Sequence, residues 1–242
     1  ATLTRANEIR GERLDFFLSN SFRLQGLEQF VAFLEASVSW FGTHADLNGI
    51  TFLLSRAAAD FVVAIDATLS GFHTVAYELM RDVMEIEVLL EEFSIEPAQL
   101  EKWLNTDPDT RRNEFSHGAL RKRKASRAGV KPRDLPDYRD YTGHSVVLHV
   151  NPIADPLITR RVATEAIDPA ADACFWDVYQ HARNLFIVVL ALFGTFGPGR
   201  DVPGWKLPDV QIFTREYAEA MQVQQAIFKR HHELIEGADI SD

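Results

Sequence analysis

NGITFLLSRAAADFVVAIDATL, residues 48–69, is apolar on nearly every side when wound into a helix of about 100° per residue. Arg56, Asp60 and Asp66 interrupt it, so it predicts the central helix of a bundle rather than a membrane span. Buried charges need partners. Arg56 is expected to pair with Asp60 along the helix, and Asp66 needs a donor such as Arg81. Directly downstream, Phe72, Ala76, Leu79, Val83, Ile86, Leu90 and Phe93 recur at spacings of four and three, a second helical stripe. Gly71 leaves two options: a break between two helices, or one long helix.

Working outward, residues 8–19 and the set Leu27, Phe30, Val31, Phe33, Leu34 and Val38 predict two earlier amphipathic helices. Pro97 starts a short helix to Leu104, since proline is tolerated in a first turn. Thr106-Asp107-Pro108-Asp109 is a helix-start signal, leading to a helix over about 111–124. Residues 125–136 then read as a basic exposed loop, and 135–150 as a helix ended by Asn151-Pro152. Residues 170–196 predict a long helix, 197–208 a Gly/Pro connection, and 210–235 a last amphipathic helix. No repeat appears, and no strand pattern is long enough for a sheet. The fold class is all-α: one helical domain over 1–242, a bundle with additional N- and C-terminal helices and a basic loop near 121–137.

Cys174 is the only cysteine in 242 residues, which excludes an internal disulfide and a cysteine-based zinc site. Together with the lack of an apolar leader in residues 1–10, it favours a cytoplasmic setting. The longest apolar run, 185–193, is too short to span a bilayer. Net charge is −10, yet residues 111–133 carry nine Lys or Arg and one acid, Glu114. A basic segment on an acidic body suggests contact with phosphate. No aromatic residue interleaves 121–133, so base stacking within it is not expected. A phosphate-binding glycine loop, a dinucleotide fingerprint and a nucleophile elbow are all missing, and no cofactor is expected.

The sharpest local string is Arg112-Asn113-Glu114-Phe115-Ser116-His117. It resembles the ribonuclease motif of HEPN (higher eukaryotes and prokaryotes nucleotide-binding) proteins: an Arg, a polar residue after it, then a His. That resemblance implies a helical bundle, usually dimeric, that cleaves RNA without metal and serves in stress response or defence. Arg112, Asn113 and His117 would be catalytic. A histidine near its ordinary pKa of about 6.5 can move a proton at neutral pH, and an arginine fork can hold phosphate. On one continuous helix Asn113, His117 and Arg121 share an outward face, whereas Arg112 and His117 lie about 140° apart. Arg121 is therefore the better phosphate ligand for His117 within one chain. Glu114 and His117 also form a Glu-x-x-His pair. No second pair accompanies it, so a di-metal site is not expected, and no metal ligands are assigned.

A wider resemblance joins residues 77–90, 111–124 and 138–152 to a bacterial family of helical proteins of unknown function. It implies that Arg81, Glu85, Tyr141 and His149 act together, with Arg81, Glu85 and His149 in substrate binding beside Arg121. The plainer reading of Arg81 and Glu85 is an ion pair along one helix, worth about 0.2–0.5 kcal/mol. His181 reads as the polar edge of a core helix. Two functions follow as expectations: an RNA-cleaving homodimer, or a non-catalytic helical module that binds a protein partner.

Overall fold

The computed structural model describes residues 2–19, 21–148 and 169–200. Among them the chain forms nine α-helices and no strand: α1 (Thr2–Ser19), α2 (Ser21–Gly42), α3 (Asn48–Ser70), α4 (His73–Ile95), α5 (Ala98–Asn105), α6 (Pro108–Glu114), α7 (His117–Ala128), α8 (Pro136–Leu148) and α9 (Pro169–Phe196). No described helix is long and apolar enough to cross a membrane. The expected helix over 210–235 lies outside the described residues, as does His149.

The hub is α4, not α3 as its apolar sequence suggested. α4 packs against α3, α5, α7, α8 and α9. α3 buries only one face, through Ile50, Leu53, Leu54, Ala57, Phe61 and Ala64, while Phe52, Val62 and Val63 stand exposed. Phe30 of α2 meets Phe61 edge to face at 4.9 Å. Gly71 is a break. It sits at φ +81, where a side chain would be strained, and the amide of Phe72 donates back to the Ala67 carbonyl at 2.8 Å. Arg13, fully buried, donates to the Thr68 and Leu69 carbonyls and so satisfies the C-terminal turn of α3.

The charges on α3 choose partners other than those expected. Arg56 reaches Asp82 of α4 at 2.5 Å rather than Asp60. Asp66 takes its donor from Arg10 of α1, at 2.8 and 2.9 Å, rather than from Arg81. Both bonds cross between helices, which spacing along one helix cannot reveal.

The segment expected as one helix over 111–124 is two. Asp107 caps α6, accepting from the amides of Asp109 and Thr110 at 3.0 Å. Arg111 fastens α6 to the end of α5 through the Trp103 and Thr106 carbonyls, at 2.9 and 2.6 Å. The helix then stops at Phe115, and Ser116 caps a new helix, accepting from the Ala119 amide. α7 runs to Ala128 and closes on Gly129 at φ +68, so much of the expected basic loop is helix. Lys122, Lys131 and Arg133 stand exposed, as expected, but the basic residues between them are engaged. Lys124 bonds Glu91 of α4 at 2.7 Å, while Arg123 and Arg127 clamp Glu92 of α4 at 3.0 and 2.6 Å. These three residues dock α7 on α4.

A candidate phosphate-binding groove beside a histidine–aspartate cluster

The break at Ser116 makes His117 the first residue of α7 and turns it inward. Its ring stacks on Tyr141 of α8, with centroids 3.7 Å apart and planes 15° off parallel. Arg121, one turn along α7, donates to His117 Nε2 at 3.2 Å. The Arg121 guanidinium also lies over the rings of Tyr138 and Tyr141, at 5.2 and 4.8 Å. Arginine can only donate, so Nε2 is the accepting nitrogen and the proton of the neutral ring resides on Nδ1.

Arg81 and Glu85 do not pair directly. Tyr141 stands between them: its hydroxyl accepts from Arg81 at 3.1 Å and donates to Glu85 at 3.2 Å. Arg81, Glu85, Tyr141, His117 and Arg121 therefore form one contiguous cluster across α4, α7 and α8. Arg112 stays outside that contact network. Its side chain is 77% exposed and pairs with Asp109, while Asn113 is exposed. Arg112 nonetheless lines, with His117, Ser116, Gly118, Tyr141 and Glu85, a groove of about 510 Å³. Glu114 is taken by Lys102 of α5 and does not join His117 as a ligand.

The expectation of an outward histidine near its ordinary pKa is thus corrected. Burial and the positive Arg121 beside it push His117 down from 6.5 to about 4. At neutral pH it is an uncharged donor through Nδ1, with little capacity to carry a proton. The sign for stability follows. Below pH 6.5 the unfolded chain takes up a proton that the folded ring declines until about pH 4, so this stability is present above 6.5 and is lost between 6.5 and 4. In urea titrations at pH 7.0 and 4.5, His117→Gln is expected to lose less stability on acidification than the wild type. Equal losses would mean that His117 titrates normally.

A second cluster lies deeper, and the sequence reading assigned it no ligand role. Asp140 and His144 on α8 face Asp177 and His181 on α9, with one donor atom from each within 4.8 Å of the others. His181 is no polar edge; it is completely buried, and so is almost all of His144. Burial works against protonating His181, yet Glu87, Asp177 and Asp140 around it outweigh that and raise it to about 9. The same contest leaves His144 raised, with Asp177 the chief opposing influence, while burial raises Asp140. A sequence signal was present: two Asp-x-x-x-His pairs, 140–144 and 177–181, each putting carboxylate and imidazole on one helix face. A cavity of about 410 Å³, lined among others by His117, Lys124, Asp140 and His181, connects the two clusters.

The class these features define is an all-α protein with an arginine–tyrosine–histidine groove and a buried histidine–aspartate cluster. Comparison with protein-family models, curated proteins and solved structures finds no match to this chain.

Proposed function

We propose that the chain is a HEPN-like endoribonuclease that holds an RNA phosphodiester in the groove between α4, α6, α7 and α8, with roles shifted from those the motif suggested. The observation that carries this reading is the Tyr141 hydroxyl suspended between Arg81 and Glu85 under the His117 ring. Three features favour a phosphate there. The first turn of α7 faces the groove, and a helix N-terminus attracts anions. His117 offers a neutral Nδ1–H, and Arg112 on the rim brings an exposed positive charge.

The 2′-hydroxyl oxygen attacks phosphorus and gives its proton to Glu85. The bond from phosphorus to the 5′-oxygen breaks, and that oxygen takes the proton of Tyr141, whose phenolate is stabilised by Arg81. Glu85 then returns its proton to Tyr141 across their hydrogen bond, leaving a 2′,3′-cyclic phosphate and a free 5′-hydroxyl. Acid–base help of this kind is worth about 10²- to 10⁴-fold in rate. Tyr141→Phe keeps the ring under His117 and removes only the hydroxyl, with the proton it would donate. It is expected to lower RNA cleavage by about that factor while leaving RNA affinity unchanged. A 2′-deoxy substitution at the cleaved nucleotide is expected to block the reaction. Cleavage that survives either change, or that leaves a 5′-phosphate, sinks the mechanism.

A further inference from the structure

We propose that Asp140, His144, Asp177 and His181 bind one divalent transition-metal ion of the zinc class, and that this ion fastens α8 to α9. The inference goes beyond the proposed RNA chemistry and rests on different side chains.

Its first support is the pattern of distances. Nε2 of His144 lies 3.1 Å from Asp177 Oδ1 and 3.8 Å from Asp140 Oδ1. Nε2 of His181 lies 3.7 Å from Asp140 Oδ2 and 3.9 Å from Asp177 Oδ1. Three of these four are too long for hydrogen bonds. A tetrahedral ion with bonds of about 2.0–2.2 Å sets neighbouring donors about 3.3–3.6 Å apart. These separations lie around that spacing, and one donor atom from each of the four residues lies within 4.8 Å of the others, so the side chains need only draw together about an ion at the centre.

The second support is unsatisfied polarity. His181 is fully buried, and neither of its ring nitrogens makes a hydrogen bond among the described residues. Asp177 Oδ2 is likewise buried without a partner. Orphaned polar atoms at this depth are costly, and His181 Nε2, the one that faces the aspartates, calls for a partner. An imidazolium–carboxylate network without metal would instead draw His181 Nε2 to hydrogen-bond distance of one carboxylate.

The third support lies behind the ligands. Nδ1 of His144 is 3.0 Å from the Tyr77 carbonyl, which can only accept. A neutral His144 therefore carries its proton on Nδ1 and aims the Nε2 lone pair at the cluster. Glu87 stands 3.4 Å from His181 Nδ1 and plays the corresponding part there. A carbonyl or carboxylate behind each imidazole is the usual support of a metal-bound histidine. Two imidazoles with two carboxylates suit zinc and its first-row neighbours better than calcium or magnesium, and the two aspartates offset the charge of a divalent ion. The 410 Å³ cavity reaches Asp140 and His181 and gives the ion a path in.

The test begins with full-length protein stripped of metal by chelator and dialysed. Zinc is titrated by calorimetry, and cobalt(II) by its visible absorption. One zinc per chain is expected, with an intense tetrahedral cobalt band and a thermal midpoint raised by several degrees. Asp177→Asn, nearly isosteric, is expected to weaken zinc binding at least tenfold while circular dichroism stays helical. If that variant does not fold, the wild type still decides, because zinc must shift the ring ¹⁵N resonances of two histidines. No zinc bound by folded wild type, or undiminished binding in folded Asp177→Asn, would overturn the site. Neither readout involves RNA, so this inference and the proposed cleavage stand or fall separately.

Discussion

Phe61→Ala is expected to destabilise the protein by about 3–5 kcal/mol, one of the two largest effects we anticipate from local changes. Phe61 is completely buried on the inward face of α3, edge-on to Phe30. Truncation removes both the transfer free energy of the ring and its packing contacts, and helices on either side can close the void only in part. Val63, two residues along the same helix, is half exposed, so Val63→Ala is expected to cost no more than about 0.5 kcal/mol. Urea unfolding followed by circular dichroism measures both. The midpoint is expected to fall for Phe61→Ala with an unchanged denaturant slope. Similar losses for the two variants would mean that α3 does not bury the face described.

The contrast between Phe61 and Val63 also shows how far the fold was legible. Helical period, the capping aspartate at 107 and the glycine at 71 are local signals, and each marks a helix or a boundary found in the structure. The break at Ser116 was missed because basic residues on both sides read as one continuous exposed face, while a single serine cap suffices to restart the helix. Partners across helices were out of reach as well. Nothing near Asp66 in sequence points to Arg10, and nothing near Arg56 favours Asp82 over Asp60. Within the groove, Arg81, Glu85 and Tyr141 came from a family likeness and His117 and Arg121 from a motif. Two contacts on the Tyr141 ring, the stacked His117 and the Arg121 guanidinium over it, join the two sets. The histidine–aspartate cluster left a trace in its twin spacings, but spacing cannot say that α8 and α9 present those faces to each other.

The basic segment is the clearest case of charge misread from sequence, and it carries the second large effect. The paired change Arg123→Ala with Arg127→Ala is expected to cost about 3–5 kcal/mol, because it strands the Glu92 carboxylate at 1% exposure. Removing the acid instead is less severe. Arg123 and Arg127 are 30% and 36% exposed, so after Glu92→Met their guanidiniums can turn to water. Adding Glu92→Met to the paired change is therefore expected to restore most of the loss, since methionine fills the site without a buried charge. Ordinary surface pairs behave differently: their loss costs at most about 1 kcal/mol and fades with salt. Urea unfolding of the four proteins at low and high salt separates the cases. A loss below about 1 kcal/mol in the paired variant, or no rescue by Glu92→Met, would show that the clamp is not buried as described. The same clamp bears on the groove. α7 carries both His117 and Arg121, and its hold on α4 keeps the His117 ring against Tyr141. On the proposed RNA reading, the paired variant is thus expected to bind RNA less well even at temperatures where the protein remains folded, whereas the rescued triple variant is expected to regain affinity.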